Sequence, residues 1–319
     1  MRSFLKQSII VLALTILLPA TSFGAEQFYK IGTASSGGLF NALGIGFAQV
    51  WTKVIPDVNF SAQITGGSGA NALGVNAKKY DIGFITGDVA YDAYTGLNQF
   101  KGKEQKKLMG VANLYPAVMQ VVVLKDSKIN GVDDLKGKRI NIGQAGSGSA
   151  IAAEIFLDWF GLKPDKDFTP SRLSHSAGAD ALMDEKIDGY VNSGTVGQSW
   201  HMRALTSGKA TMVPFADERT KKFCEANPSY YAFTIPDGSY PDLKGPLQTI
   251  ATSTLLVVNE DLPEAHVYAM TKAIFDNLKE LAQMNNVVAT LTPKSAVEGV
   301  SIPMHPGAAK YFREQGVIK

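Results

Sequence analysis

The sequence predicts an α/β protein of two similar lobes, each a mostly parallel sheet flanked by helices. Three observations predict it. Short apolar runs alternate with segments of helical periodicity from residue 28 to residue 192, and such alternation places strands in parallel with helices over both faces. The pattern starts over near Arg139, where Ile142-Gly143 to Gly146-Ser147 repeats the arrangement of Ile31-Gly32 to Gly37-Gly38. Two further β-rich runs, 119–124 and 249–259, are suited to pair as strands crossing between the lobes.

The elements follow in order. Residues 28–31 form a strand. Phe40, Leu43, Phe47, Val50, Trp51 and Val54 recur at helical spacing and mark an amphipathic helix that stops before Pro56. The spacing then predicts a strand at 58–64, a helix at 70–79, a strand at 81–86 and a helix through Val89 and Tyr94 that ends at Gly96. Residues 99–107 are polar and read as a surface loop. The continuous apolar run 119–124 is a strand buried on both faces. After a turn-rich connector at 126–137 come a strand at 139–143 and a helix carrying Ile151, Ile155, Phe156 and Trp159. A strand at 168–173, a helix at 177–184 and a strand at 187–192 follow. Residues 264–284 read as one long helix with Pro263 in its first turn. Trp51 and Trp159 fall on apolar helix faces and are expected in the core.

The first residues read as an export signal rather than as part of the fold. Arg2 and Lys6 precede an apolar stretch at 8–18, and Ser22 and Gly24 are small residues before a cleavage point at Ala25. The apolar stretch is short for a span of about 20 residues. The expected segments are therefore a signal peptide at 1–24, a first lobe from 25–116 plus about 260–319, and a second lobe from 117–259. The full sequence holds 31 Lys+Arg and 29 Asp+Glu; without Arg2 and Lys6 the two are equal. A neutral chain argues against nucleic acid, which demands a basic footprint. Cys224 is the one cysteine, so no internal disulfide forms and no lipid anchors near the cleavage point. It reads as a structural residue. His201, His266 and His305 lack metal-ligand spacing, so no metal or cofactor is expected.

Three loops combine glycine with small hydroxyl residues between a strand and a helix: residues 32–38, 65–71 and 143–149. The first N–H groups of a helix lack intrahelical partners, and the helix end carries about half a positive charge. Glycine lets an anion approach that backbone, and serine adds a donor. Ligands in open parallel sheets bind beyond the carboxyl ends of strands, where these loops sit together with Asp88, His175 and Thr195. The loops do not fit a P-loop, since no Gly-Lys-Ser/Thr ending occurs, nor a dinucleotide fingerprint, since Gly32-x-x-x-x-Gly37 lacks the middle glycine. Tyr115, held extended by Pro116, either presents its phenol to a cleft or is a buried tyrosine. His175 either bonds an anion or stands exposed at a helix start.

The ordered motifs carry a family resemblance. They are Ile31-Gly32-Thr33 with Gly37-Gly38, Thr65-Gly66-Gly67-Ser68 with Ala70-Asn71, Asp88-Val89-Ala90-Tyr91-Asp92-Ala93-Tyr94, Leu114-Tyr115-Pro116, Asp134-Leu135-Lys136-Gly137-Lys138-Arg139, Gly146-Ser147-Gly148, and Ile302-Pro303-Met304-His305-Pro306-Gly307-Ala308. In order and spacing, from about residue 28 to 316, the chain resembles the TAXI-type solute-binding receptors of TRAP transporters. The resemblance implies a two-lobed periplasmic-binding-protein fold, type II-like, in a monomer that captures a small carboxylate in the periplasm and passes it to a membrane permease. It places Ser35, Ser36, Gly37, Ser68, Tyr115, Ser147 and Ser149 near the ligand. Gly69, Asp88, Gly148, His175 and Thr195 join them from the reading of the loops. Many family members carry glutamate after Leu-Tyr-Pro, where this chain has Ala117. Alanine cannot hold a ligand ammonium group, so a C4 or C5 dicarboxylate such as 2-oxoglutarate is expected ahead of glutamate or glutamine.

Two other readings use the same residues. An enzyme would need a placed nucleophile or base, and no Gly-x-Ser-x-Gly, His-Glu-x-x-His or Cys/His pairing occurs; the expectation is binding without turnover. A sensor module would keep the fold and ligand and contact a membrane sensor instead of a permease.

Overall fold

The computed structural model describes residues 26–215, 217–241 and 243–319. The expected signal peptide and its cleavage point lie outside the described residues. The first half runs β1 (Gln27–Gly32), α1 (Leu39–Val54), β2 (Val58–Gln63), α2 (Ser68–Asn76), β3 (Ile82–Thr86) and α3 (Gly87–Thr95). Its strands pair in parallel, β1 with both β2 and β3. Then comes the 17-residue β4 (Leu108–Leu124). The second half runs β5 (Arg139–Asn141), α4 (Gly148–Trp159), β6 (Thr169–Ser171), α5 (His175–Met183), β7 (Gly189–Gly194), α6 (Ser199–Thr206), β8 (Ala210–Met212), α7 (Glu218–Ala226) and β9 (Tyr230–Ile235). Here β5 pairs in parallel with β6 and β7. The chain returns along β10 (Leu247–Asn259) and closes with α8 (Glu264–Asp276), α9 (Leu278–Met284), α10 (Pro293–Val297) and α11 (Pro306–Glu314).

The sheet order is β2-β1-β3-β10-β4-β7-β5-β6. Read from either edge the order is the same: second strand, first strand, third strand, then a long antiparallel strand. This is the repeat that the sequence shows restarting near Arg139, and it gives the two-lobed α/β fold that the alternation predicts. β10 runs antiparallel to β3 and β4, and β4 runs antiparallel to β7. These two strands carry the chain between the halves.

Each half has its own core. Ile31, Phe47, Trp51, Phe84, Met270, Ile274, Tyr311 and Phe312 belong to one buried cluster, so the C-terminal helices pack back onto the first half. Trp51 is fully buried, and its indole N–H donates to the Met270 carbonyl at 3.1 Å. In the second half, Val121, Ile140, Phe156, Leu157, Val191 and Phe223 form a cluster. Tyr190, Trp200, Leu205 and Tyr240 form another.

Four elements depart from the sequence reading. The run at 119–124 is only the end of β4. The stretch of β4 that pairs with β10 is Leu108–Val118, while Val118–Val123 pairs with β7. Pro116 sits before the ladder to β7 begins, where its missing N–H breaks no bond on that side. The helix expected at 264–284 is two helices that meet at Asn277 (φ −115°), whose side-chain amide donates to the Ala273 carbonyl at 2.9 Å. The loop at 99–107 begins with a short 3-10 turn that buries Phe100. Trp159 is 41 % exposed rather than core. It lies at the last turn of α4, with its ring edge against Phe223 and its indole N–H donating to the Arg219 carbonyl at 3.0 Å.

Asn71, fully buried at the start of α2, fixes the ends of the first-half strands. Its amide N–H₂ donates to the carbonyls of Gly32 (3.1 Å), Thr33 (2.7 Å) and Phe84 (2.8 Å), and its Oδ1 accepts from the Thr65 hydroxyl at 2.8 Å. Asn71→Ala strands these carbonyls without a donor. The expected cost is about 1–3 kcal/mol of unfolding free energy, read as a lower urea midpoint with the slope unchanged; an unshifted midpoint contradicts the assignment.

Candidate ligand-binding cleft

The loops at the carboxyl ends of the parallel strands converge on one cleft between the halves. Its inner cavity, about 90 Å³, is lined from the first half by Ser35, Gly38, Gly67, Ser68 and Thr86, and from the second by Ser147, Gly148, Ser149, Ser174, His175 and Gln198. Tyr115, Ala117 and Thr254, from β4 and β10, line it as well. An outer cavity of about 560 Å³ continues past Ser36, Gly37, Tyr115, His175, Thr195, Trp200 and Phe233.

The helix starts explain the chemistry. α1 begins after Gly38, α2 after Gly67, α4 after Ser147 and α5 after Ser174, and all four N-caps line the inner cavity. Gly67 holds φ 90°, a conformation that side chains resist. Ser147 and Ser174 spend their hydroxyls as caps, accepting from Ala150 N (3.1 Å) and Ala177 N (3.4 Å). Ser68 Oγ accepts from Thr86 N at 3.1 Å. Ser149 Oγ donates to Asn192 Oδ1 at 3.3 Å and accepts from Ser193 N at 3.0 Å. Much of the serine chemistry therefore shapes the loops, leaving first-turn N–H groups without intrahelical partners to face the cavity. Among the described residues no lysine, arginine, aspartate or glutamate lines either cavity. The helix starts bring to the cleft the partial positive charge of their unpaired N–H groups.

His175, the first residue of α5, is half-buried and lines both cavities. Its ring stacks on Trp200, with centroids 4.6 Å apart and planes 8° from parallel. Burial lowers its pKa to about 4, so at neutral pH the imidazole is uncharged and serves as a hydrogen-bonding group. Tyr115 is buried, and burial holds its phenol protonated. Two polar atoms of the inner cavity, Thr254 Oγ1 and Gln198 Oε1, are buried with no hydrogen-bond partner among the described residues.

Ten of the twelve residues singled out in the sequence line the cleft: Ser35, Ser36, Gly37, Ser68, Tyr115, Ser147, Gly148, Ser149, His175 and Thr195. Gly69 and Asp88 do not. Gly69 N donates to the Gly146 carbonyl across the halves at 3.2 Å. Asp88 is buried, with Oδ2 accepting from the Tyr230 hydroxyl at 2.5 Å. Asp88 was placed in the cleft because it follows a strand end, but α3 begins at Gly87 and carries it behind the cleft. Sequence reasoning missed Gln198 and Trp200, which a helix start after Gly197 would have flagged, and Thr254, which lies mid-strand and gives no local signal.

The halves are in contact. A Cβ at Gly148 would lie 2.5 Å from Ser68 Oγ and 2.7 Å from Thr86 Oγ1, so only glycine lets the start of α4 meet the start of α2. Ile151 of α4 packs into the cluster of Val89, Ala93 and Phe100. This is a closed cleft.

The profile of the NMT1-like family matches residues 31–316. The chain belongs to the NMT1-like family. Its fold is that of periplasmic binding proteins. It is similar to MatC from Rhodopseudomonas palustris, solved with bound malate (TM-score 0.57, 12% identity, 91% of this chain and 96% of that one). It is also similar to the periplasmic binding protein BugD (0.55, 12%, 92% and 94%) and to XAC2383 from Xanthomonas citri, solved with a chloride ion (0.55, 11%, 90% and 99%).

Two outcomes follow from this geometry. Gly148→Ala should leave the protein folded and weaken ligand capture by about 1–3 kcal/mol, roughly five- to hundredfold, through overpacking of the closed form; calorimetric titration of a binding carboxylate checks this, and unchanged affinity refutes the tight seam. Because His175 charges only below about pH 4, His175→Gln should leave the pH dependence of ligand affinity between pH 6 and pH 8 as it is in the unaltered chain. A pH dependence that His175→Gln abolishes would show instead that the imidazole takes up a proton on binding.

Proposed function

We propose that this chain is an extracytoplasmic solute receptor that closes on a small carboxylate, a C4 or C5 dicarboxylate such as 2-oxoglutarate, and delivers it to a TRAP permease. The observation that carries the reading is the cleft itself: four helix N-caps converge on a closed cavity that no charged side chain lines among the described residues. Such a site suits an anion held by charge-assisted bonds to backbone N–H groups, each worth about 1.5–3 kcal/mol. The malate in MatC supports a dicarboxylate, since the same fold there encloses a C4 diacid. The TAXI-type motifs support the permease partnership and a periplasmic monomer. We read the cleft as one for binding rather than turnover.

The lobes in this reading are 25–116 with about 260–319, and 117–259. The shared core of Trp51, Met270 and Phe312 supports returning the C-terminal helices to the first lobe. Ala117 supports the ligand class. It lines the inner cavity beside Tyr115, so a carboxylate at that position would meet the ligand, and the methyl group here gives an ammonium ion nothing to pair with.

Thermal unfolding of refolded, ligand-free protein tests the reading. At 100 times its dissociation constant 2-oxoglutarate should add about 2.7 kcal/mol of stability, a shift of several degrees, with glutamate giving less. Ala117→Glu should reverse that order. No shift with 2-oxoglutarate, malate, succinate or glutamate would remove the carboxylate reading, while a larger shift with glutamate in the unaltered protein would remove the role given to Ala117.

A further inference from the structure

Behind the cleft a second seam joins the halves. Asp88, second residue of α3, is 3 % exposed, and Tyr230, first residue of β9, is 6 % exposed. The Tyr230 hydroxyl donates to Asp88 Oδ2 at 2.5 Å across 142 residues of chain. Asp88 Oδ1 is buried as well. Around this bond the seam is apolar: α3 packs with Ile151 of α4 in the cluster of Val89, Ala90 and Ala93, and Tyr230 stacks edge-on against Phe223. A carboxyl group in such a place is costly to bury, and a bond that spans two separately packed cores acts on their relative position.

We propose that Asp88 is a positioning residue for ligand capture: through its hydrogen bond to Tyr230 it ties the two halves together behind the cleft and holds the cleft closed. For its effect on capture this rests on the receptor reading above; the tie itself does not.

The chemistry adds a direction. Burial raises the pKa of Asp88 and outweighs the hydroxyls of Thr86 and Tyr230 and the start of α3, which favour the carboxylate. The titratable groups that face this seam are Tyr230 of β9, Cys224 of α7 beyond it, and Asp92 one turn along α3. Asp92, pushed up to about 6 by burial, bonds Asn98 within the first half. No lysine, arginine or histidine pairs with Asp88 among the described residues. Opening the seam hydrates Asp88 and restores an ordinary carboxylate. The closed form therefore binds the proton more tightly than the open form, so closure is favoured as pH falls through the raised pKa and disfavoured above it.

Small-angle X-ray scattering of ligand-free protein at the acidic and alkaline ends of its stable range tests this without any ligand. The unaltered chain should be more compact at the acidic end. Asp88→Asn keeps an acceptor for Tyr230 and has no charge to bury, so it should be compact at both. Tyr230→Phe should be expanded at both relative to the unaltered chain, and Asp92→Asn should keep the pH response. With 2-oxoglutarate as probe, Tyr230→Phe and Asp88→Ala should each release ligand roughly tenfold faster, whereas Asp88→Asn, which keeps the acceptor, should release it as slowly as the unaltered chain. A radius that ignores pH in the unaltered chain, or a response that persists in Asp88→Asn and vanishes in Asp92→Asn, overturns the proposal. Failure to bind 2-oxoglutarate with the scattering as expected would leave the tie standing and remove only the receptor reading.

Discussion

The backbone ladder between β4 and β10 is the constraint on which the rest depends. Two long strands run antiparallel through the middle of the sheet; β3 of the first half pairs with β10 and β7 of the second with β4, and the second half also adds β8 to β4 and β9 to β10. Both halves are built onto these two strands. The ladder is irregular where it matters. Its register shifts between Thr254 and Leu255, and again between Leu256 and Val257, and a bulge adds twist and bends the strand locally. The first shift lies beside Tyr115 and Thr254, which line the cleft floor. The strands that join the halves thus also carry the residues that the ligand cavity rests on.

In the reading proposed above, the cleft over that floor is an anion site without a cation. A lysine or arginine would give a stronger pull, but it would bring a long flexible side chain and its own hydration. Helix starts have neither: the charge is partial, fixed in the backbone and already pointed at the cavity. Such a site recognises shape and acceptor geometry more than net charge. It also explains why glycine and serine crowd the loops. Gly67 and Gly148 let backbone come close, and the serine hydroxyls mostly hold the loops in place rather than reach outward.

Much of this was legible in the sequence because it rests on local signals. Glycine-serine loops between a strand and a helix announce helix starts, and the restart near Arg139 announces a second half. What was not legible depends on distant partners. Asp88 follows a strand end, as cleft residues do, yet its partner is Tyr230, 142 residues away. Thr254 sits in a plain β-branched run and becomes a cleft residue only through the register with Tyr115. Trp159 satisfies helical periodicity but lies at the final turn of α4, where the neighbouring element leaves one side of the ring uncovered.

The repeated strand order has a consequence for orientation. Each half contributes two equivalent helix starts, α1 and α2 from one and α4 and α5 from the other, in the same sequence of strand, loop and helix. The two walls are therefore near-duplicates of one another. A molecule with two like ends meets almost the same surroundings whichever way round it enters. Features that have no counterpart on the opposite wall break that likeness: the imidazole of His175 lying on Trp200, Leu39 and Phe40 on the first wall, and the methyl group of Ala117 on the floor. In the receptor reading, such features set which end of an unsymmetrical guest faces inward.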